Sequence, residues 1–317
     1  YLVIDDDRVE IRPADKYWGQ GSLRAEKMFK DDLGDDFQIL TIGPAGERLV
    51  RFACISHDFG RQAGRTGIGM VLGSKNIKAI AVRGTGSLPV FDVEGAYAKG
   101  KEAYRKVREK PGFKGWTPEG TAGLTNWANE VGVFPTRNFQ TSYAEHYKDI
   151  NGKAILERLK ITDKGCYLCP TPCGKYGHAK TTLGQAHVEG PEFETISLFG
   201  GNCVLKTIEE VAYANYVCDE LGIDTISAGV VAGWAIECFE RGLLSEAQIG
   251  RQIRFSDLDS VVYLLEKIAR RDGIGDLLAE GVKRAAEEIG KGSEDFAIHV
   301  KGLEWTGYEC RNAPSMM

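Results

Sequence analysis

Apolar positions along the first part of the chain follow the period of strands, and after about residue 92 they follow the period of helices. Residues 1–4 and 9–11 flank the acidic turn Asp5-Asp6-Asp7, which predicts a hairpin. A helix crossing between strands is expected over 15–33. Residues 38–42 predict a strand running into the turn cluster Gly43-Pro44-Ala45-Gly46; residues 49–55 resume a strand-like pattern, and 78–82 read as a buried strand. Asp92 can cap a helix that runs to about residue 110, where Pro111-Gly112 stops it. Residues 111–190 are loop-rich. Beyond Gly190-Pro191 the helical stripes become regular: Ile226, Val230, Trp234 and Cys238 step by four, as do parts of Val261, Leu264, Leu265, Ile268 and of Leu278, Val282, Ala285, Ile289. The expected class is α+β, with a strand-rich part over 1–92 and a mainly α-helical domain over 93–317.

Composition narrows the partners. The chain has 317 residues, 43% apolar, with a net charge of −5. That balance excludes the electrostatic footprint of a nucleic-acid binder. No apolar run reaches the length of a membrane span, and no charged segment followed by an apolar one opens the chain, so a cytoplasmic protein is expected. Tyr1 stands in what reads as a strand, and residues 314–317 follow no stop signal; the sequence reads as an internal piece of a longer protein.

Eight cysteines are too sparse for a disulfide scaffold, yet three fall within eight residues: Cys166-Tyr-Leu-Cys169-Pro-Thr-Pro-Cys173. Pro170 and Pro172 stiffen the loop so that its thiolates can converge on a soft metal. An iron–sulfur cluster would need a fourth thiolate from elsewhere. A structural zinc site would draw on His178 or His187. Residues 60–76 place five glycines and two arginines between strands, which lets backbone N–H groups approach an anion and arginines grip phosphate. The spacing is neither a P-loop nor a dinucleotide fingerprint, and tight turns alone could consume the glycines.

Taken together, several segments resemble the tungsten-containing aldehyde:ferredoxin oxidoreductases. They are Ile42-Gly-Pro-Ala-Gly-Glu47, Gly64-Arg65 through Gly73-Ser-Lys-Asn76, Pro135-Thr-Arg-Asn-Phe-Gln140, the cysteine cluster, Gly190-Pro-Glu-Phe-Glu-Thr195, and Asp219-Glu-Leu-Gly222-Ile223-Asp224. The resemblance runs from about residue 1 to 310. It implies a strand-rich remnant of the family's pterin-binding domain, a tungsten or molybdenum bis-molybdopterin centre with magnesium bridging the pterin phosphates, and a 4Fe-4S cluster. By the family's motifs, Arg61, Ala63, Gly64, Arg65, Asp219, Gly222 and Asp224 would contact the pterin, Cys166, Cys169 and Cys173 would ligate the cluster, and Glu194 would be the carboxylate near the metal. Glu192 is its rival. Asp224 also suits a helix N-cap. The implied reaction is aldehyde oxidation to carboxylate, with electrons passing to ferredoxin or an iron–sulfur subunit in an oligomer.

Three departures qualify this. The Glu-x-x-His pair that holds an intersubunit metal in some members falls at Tyr213 and Tyr216. The fourth cluster cysteine and the catalytic histidine fall outside the sequence. Segments 199–203 and 302–310 resemble equally the tungsten subunit of class II benzoyl-CoA reductases, in which Cys203 would be the tungsten ligand and an aryl-CoA the substrate; Cys203 also reads as a small buried residue. A reading from another class is a non-catalytic iron–sulfur electron-transfer protein.

Overall fold

The computed structural model describes residues 1–312, so the expectation for 314–317 lies outside the described residues. The predicted hairpin forms: β1 (Leu2–Asp5) pairs antiparallel with β2 (Arg8–Ile11). β3 (Gln38–Thr41), β4 (Ile55–His57), β5 (Arg61–Ala63) and β6 (Ala79–Arg83) complete a six-stranded sheet in the order β2-β1-β6-β3-β4-β5. Only the β1–β6 pair is parallel. α1 (Ser22–Leu33) crosses from β2 to β3 and closes a small core in which Phe29 stacks on Tyr17, ring centroids 3.7 Å apart, above Val3, Phe37 and Ile39.

The expected strand over 49–55 is a correction, because only Ile55 joins one. It follows the short helix α2 (Pro44–Glu47), and Leu49 turns at φ 60°. The amides of the segment then bond the helical part: Arg51 N donates to Ala279 O at 3.1 Å and Cys54 N to Gly222 O at 2.8 Å. Val50, Phe52 and Ala53 are apolar because they enter the helical core, not because they alternate on a sheet. Likewise α3 (Ile68–Ser74) is a helix inside the stretch read as a glycine-rich loop.

α4 (Val93–Glu109) starts as expected on Asp92, whose Oδ1 accepts from Gly95 N at 2.8 Å. α5 (Phe113–Glu119), α6 (Leu124–Glu130) and α7 (Gly152–Ala154), the last running into a π turn, precede a sheet that the loop-rich reading missed. Its strands β7 (Lys160–Lys164), β8 (Gly174–Thr181) and β9 (Gly184–Glu189) are antiparallel neighbours. The inward positions of β8 are Lys175, Gly177 and Ala179, so it carries no hydrophobic alternation to detect.

α8 (Phe193–Thr195) runs into a π-helical segment, Ile196–Asn202. α9 (Ile208–Leu221), α10 (Thr225–Glu240), α11 (Glu246–Ile249), α12 (Leu258–Arg270), α13 (Ile274–Leu278) and α14 (Val282–Ile289) build the main core. On α12, Val261, Leu264, Leu265 and Ile268 are all fully buried, each worth roughly 2 kcal/mol. The stripe read through Leu278 and Val282 is broken at Gly281 (φ 86°), where Glu304 Oε1 caps Val282 N at 2.8 Å. Glu304 comes from the closing hairpin of β10 (His299–Val300) and β11 (Leu303–Glu304). Among the described residues no helix is long and apolar enough to cross a membrane.

Candidate functional site

The sheet and the helices meet where the α9–α10 turn pairs with residues 52–54. Ala53 bridges Ile223, and Asp224 N donates to Phe52 O at 3.0 Å. Gly222 ends α9 at φ 72°, letting the backbone of Gly43 come against it. Asp224 caps α10: its Oδ1 accepts from Ile226 N at 3.0 Å and its Oδ2 from Ser227 N at 3.1 Å. One turn back, Asp219 is buried between Gln62 Nε2 (2.9 Å to Oδ1) and Asn215 Nδ2 (2.8 Å to Oδ2). Burial pushes its carboxyl well above the usual range, against the pull of those donors.

The arginines reach this turn from β5 and the bend after it. Arg65 Nε lies 3.8 Å from Asp224 Oδ2, and its Nη2 donates to Glu304 O. Arg61 Nη1 lies 3.4 Å from Glu189 Oε1, at the end of β9. Arg61 Nε and Nη2 and Arg65 Nε are buried without a hydrogen-bond acceptor among the described residues. Leaving buried charged donors unmade is costly, so this wall suits an anion.

The glycines divide between two jobs. A Cβ on Gly73 would stand 1.8 Å from Gly46 O and one on Gly69 2.2 Å from Cys54 O; these glycines let backbones touch. At Gly64 a Cβ would meet only Gln62 Cβ, at 4.0 Å, and beside Ala63 and Arg65 this is the part of the loop open to a ligand. The phosphate-gripping expectation therefore narrows to residues 61–65.

The cysteines sit on the β7–β8 connection. Cys166 and Cys169 are exposed and Cys173 is half-buried. Among the described residues no three His, Cys, Asp or Glu side chains are gathered as a ligand set, so these thiols share a loop without converging. The base of the loop is firm: Lys175 Nζ donates to Cys173 O (2.9 Å), Pro172 O (3.2 Å) and Thr117 O (3.0 Å). Lys164 Nζ donates to Asp58 O at 2.6 Å, which joins this loop to the arginine hairpin. His178 and His187 are paired with each other across β8 and β9, ring centroids 4.8 Å apart. The strand carries His178 about 13 Å beyond Gly174, so neither histidine completes a site with the cysteines.

Glu194 lies on α8, half-buried, with Oε2 accepting from Gly307 N at 2.6 Å. Burial raises its pKa, against the pull of the Gly307 amide and Arg65, and the neighbouring Thr195 hydroxyl bonds that of Thr225 at 2.8 Å, which joins α8 to the start of α10. Its rival Glu192 accepts from the Thr121 hydroxyl, whose oxygen in turn accepts from Phe193 N at 3.0 Å, a local capping role. Cys203 is fully buried at the end of the π-helical segment, its thiol 3.4 Å from Gly229 O. Burial pushes that thiol far up, and the position is one of core packing. Tyr213 and Tyr216 lie side by side, centroids 5.9 Å apart.

Sequence reading missed Gln62, Asn215, Glu189, Lys175 and the Gly307 amide. Asn215 had a signal, since it precedes Asp219 by four on one helix face. The others are brought in by strands and loops distant in sequence. For the expected pterin centre, the residues present fit: unspent arginine donors, the open backbone at Gly64 and two carboxylates line one wall.

The description "Aldehyde ferredoxin oxidoreductase, N-terminal domain" matches residues 1–84, and "Aldehyde ferredoxin oxidoreductase, domains 2 & 3" matches residues 98–317. The chain is 41% identical over 317 residues to the tungsten-containing aldehyde ferredoxin oxidoreductase of Thermococcus kodakarensis, covering 99% of this chain and 52% of that protein. It is 33% identical over 328 residues to an aliphatic sulfonate oxidoreductase, WOR-like subunit, of Pyrococcus furiosus, covering 96% and 51%. Among solved structures it is similar to the active-site complex BamBC of benzoyl-coenzyme A reductase with 1,5-dienoyl-CoA, at TM-score 0.82 and 28% identity over 97% of this chain and 48% of that one. The chain spans about half the length of the curated relatives it matches. Matched from its first hairpin through the cysteine loop and the Asp219–Asp224 turn, the chain belongs to the aldehyde ferredoxin oxidoreductase family.

Proposed function

We propose that the chain supplies the pterin-binding wall and three cluster ligands of a tungsten or molybdenum enzyme that oxidises aldehydes to carboxylates and passes the electrons to ferredoxin. The observation that carries this is the approach of Arg65 to Asp224 at the start of α10, where Thr195, next to Glu194, bonds Thr225, backed by Arg61 with its unspent donors. Arg61 and Arg65 would hold the pterin phosphates, and magnesium would offset part of the phosphate charge. The backbone of Ala63 and Gly64 and the carboxylates of Asp219 and Asp224 would hold the rest. Cys166, Cys169 and Cys173 would give the 4Fe-4S cluster three thiolates. When bound, the metal–pterin group supplies a two-electron acceptor and the cluster passes the electrons on singly.

The chain's own residues supply proton handling. One oxygen of Glu194 is fixed by Gly307 N, which leaves the other to orient water and accept a proton as the carbonyl carbon is oxidised. One aldehyde and one water become a carboxylate, three protons and two electrons, the latter shared between two one-electron carriers. Because burial raises the Glu194 pKa, the acid limb of kcat/KM should lie above that of an ordinary glutamate, with activity lost as falling pH protonates it. In the full-length enzyme Glu194→Gln should lower dye-coupled aldehyde oxidation by about 10²- to 10⁴-fold with tungsten and iron contents unchanged. A loss under about threefold would remove Glu194 from proton transfer.

The likeness to BamBC supports a second reading, low-potential reduction of an aryl-CoA ring. Viologen-linked turnover with a thioester and none with benzaldehyde or crotonaldehyde would favour it. Elemental analysis finding iron without tungsten or molybdenum would leave an electron-transfer protein.

A further inference from the structure

α4 is the one long helix whose apolar stripe is left uncovered among the described residues: none of its seventeen residues is buried. Val93, Tyr97, Gly100, Tyr104 and Val107 repeat at alternating steps of four and three, the seam spacing of a helix that meets a partner. Tyr97 is 69% exposed and Val93 67%. Open space of about 710 Å³ lies against this face of α4 alone, past Tyr97, Lys101, Tyr104 and Arg108. A second such space, of about 560 Å³, continues it over Val107, Phe113 and Trp116 to Thr171, which lies between Cys169 and Cys173. Cys173 is held to this region by backbone: a Cβ on Gly120, just past α5, would stand 2.5 Å from Cys173 O. The uncovered face therefore ends at the cysteine loop, where Tyr167 and Leu168 also face solvent.

Charge says what fits there. Residues 93–116 carry seven lysines and arginines against three glutamates, in a chain whose net charge is −5. Among the described residues Lys101, Arg108, Lys110 and Lys114 have no carboxylate partner, while Lys99, Arg105 and Lys106 are paired within α4. Free cations around exposed tyrosines steer and hold an acidic protein.

We propose that the α4–α5 face is the docking surface of an acidic iron–sulfur electron carrier, seated so that its cluster lies against the loop of Cys166, Cys169 and Cys173. The proposal rests on reading those cysteines as cluster ligands. Each docked carrier would take up one electron, so two carriers would be reduced per aldehyde oxidised.

The test uses the full-length, metal-loaded enzyme and an acidic ferredoxin, with binding followed by calorimetry and turnover followed with benzyl viologen and with dichlorophenolindophenol, dyes of opposite charge. Lys101→Glu combined with Arg108→Glu and Lys114→Glu should weaken ferredoxin binding about tenfold or more at low ionic strength, less as salt rises, with both dye activities within about twofold of the parent. Tyr97→Ser with Tyr104→Ser should weaken binding without altering its salt dependence. Ferredoxin binding unchanged in both variants would overturn the proposal. So would a changed oligomeric state in sedimentation, which would give the face to a second copy, or loss of both dye activities, which would give it to the remainder of the longer protein. An unmodified enzyme that binds ferredoxin at this face yet oxidises no aldehyde would sink the proposed reaction and leave the docking surface standing.

Discussion

The wall formed by Asp219, Asp224 and the glycines behind them and the cysteine loop lie side by side and are built in opposite ways. In the wall, Asp219 and Asp224 have their oxygens engaged by Gln62, Asn215 and the first amides of α10, and the glycines behind them bring backbone against backbone. In the loop the thiols of Cys166 and Cys169 stand exposed, and the firm contacts stop at Lys175 beneath them. The wall is shaped by folding alone. The loop is anchored at its base, and its thiols await whatever gathers them. Folding stability should therefore depend heavily on the first region and hardly at all on the second.

The largest effect is expected at Gly73. Alanine is the better helix former, but a Cβ 1.8 Å from Gly46 O forces two backbones apart, and Gly73→Ala should cost about 3 kcal/mol in urea unfolding. A neutral outcome would mean that the wall can yield. Next, Asp224→Ala removes two capping bonds and a neighbour of Arg65, for a loss of about 1–2 kcal/mol. Asp224→Asn keeps an acceptor for the cap and should restore most of that stability. Pterin released on denaturation then reports the second role: if Asp224→Asn retains full pterin content, the residue is a cap and nothing more. The smallest effect on folding belongs to Cys169→Ser, under about 0.5 kcal/mol at so exposed a site. The same variant should lose the visible absorption of the cluster; an unaltered spectrum would sink the ligand assignment and with it the contrast between the two regions.

Legibility in the sequence follows the range of the interactions. The β1–β2 hairpin, α4 with its Asp92 cap and the stripe on α12 depend on neighbours within a few residues, and they could be read directly. Residues 49–55 could not, because burial in the helical core and burial in a sheet demand the same apolar side chains. Of the strands β7 to β9, β8 escaped because its inward positions are small or charged, and β7 because none of its residues is buried. Net charge misled in a milder way: an average of −5 hides the basic surplus that α4 and α5 display on one face.

By itself the sequence determined the kinds of groups available: three clustered thiols, two arginines among glycines, and two acids bracketing a glycine. Their spacing carried the family resemblance as well, since cofactor-binding segments keep their residues close in the chain. Only the tertiary structure decided which of these groups meet. Arg61 finds Glu189 and Arg65 finds Asp224 across more than a hundred residues, and Glu194 finds the Gly307 amide from equally far. Such meetings are set by how the sheet and helices pack, and packing energy is spread over the whole core, where no local pattern records it.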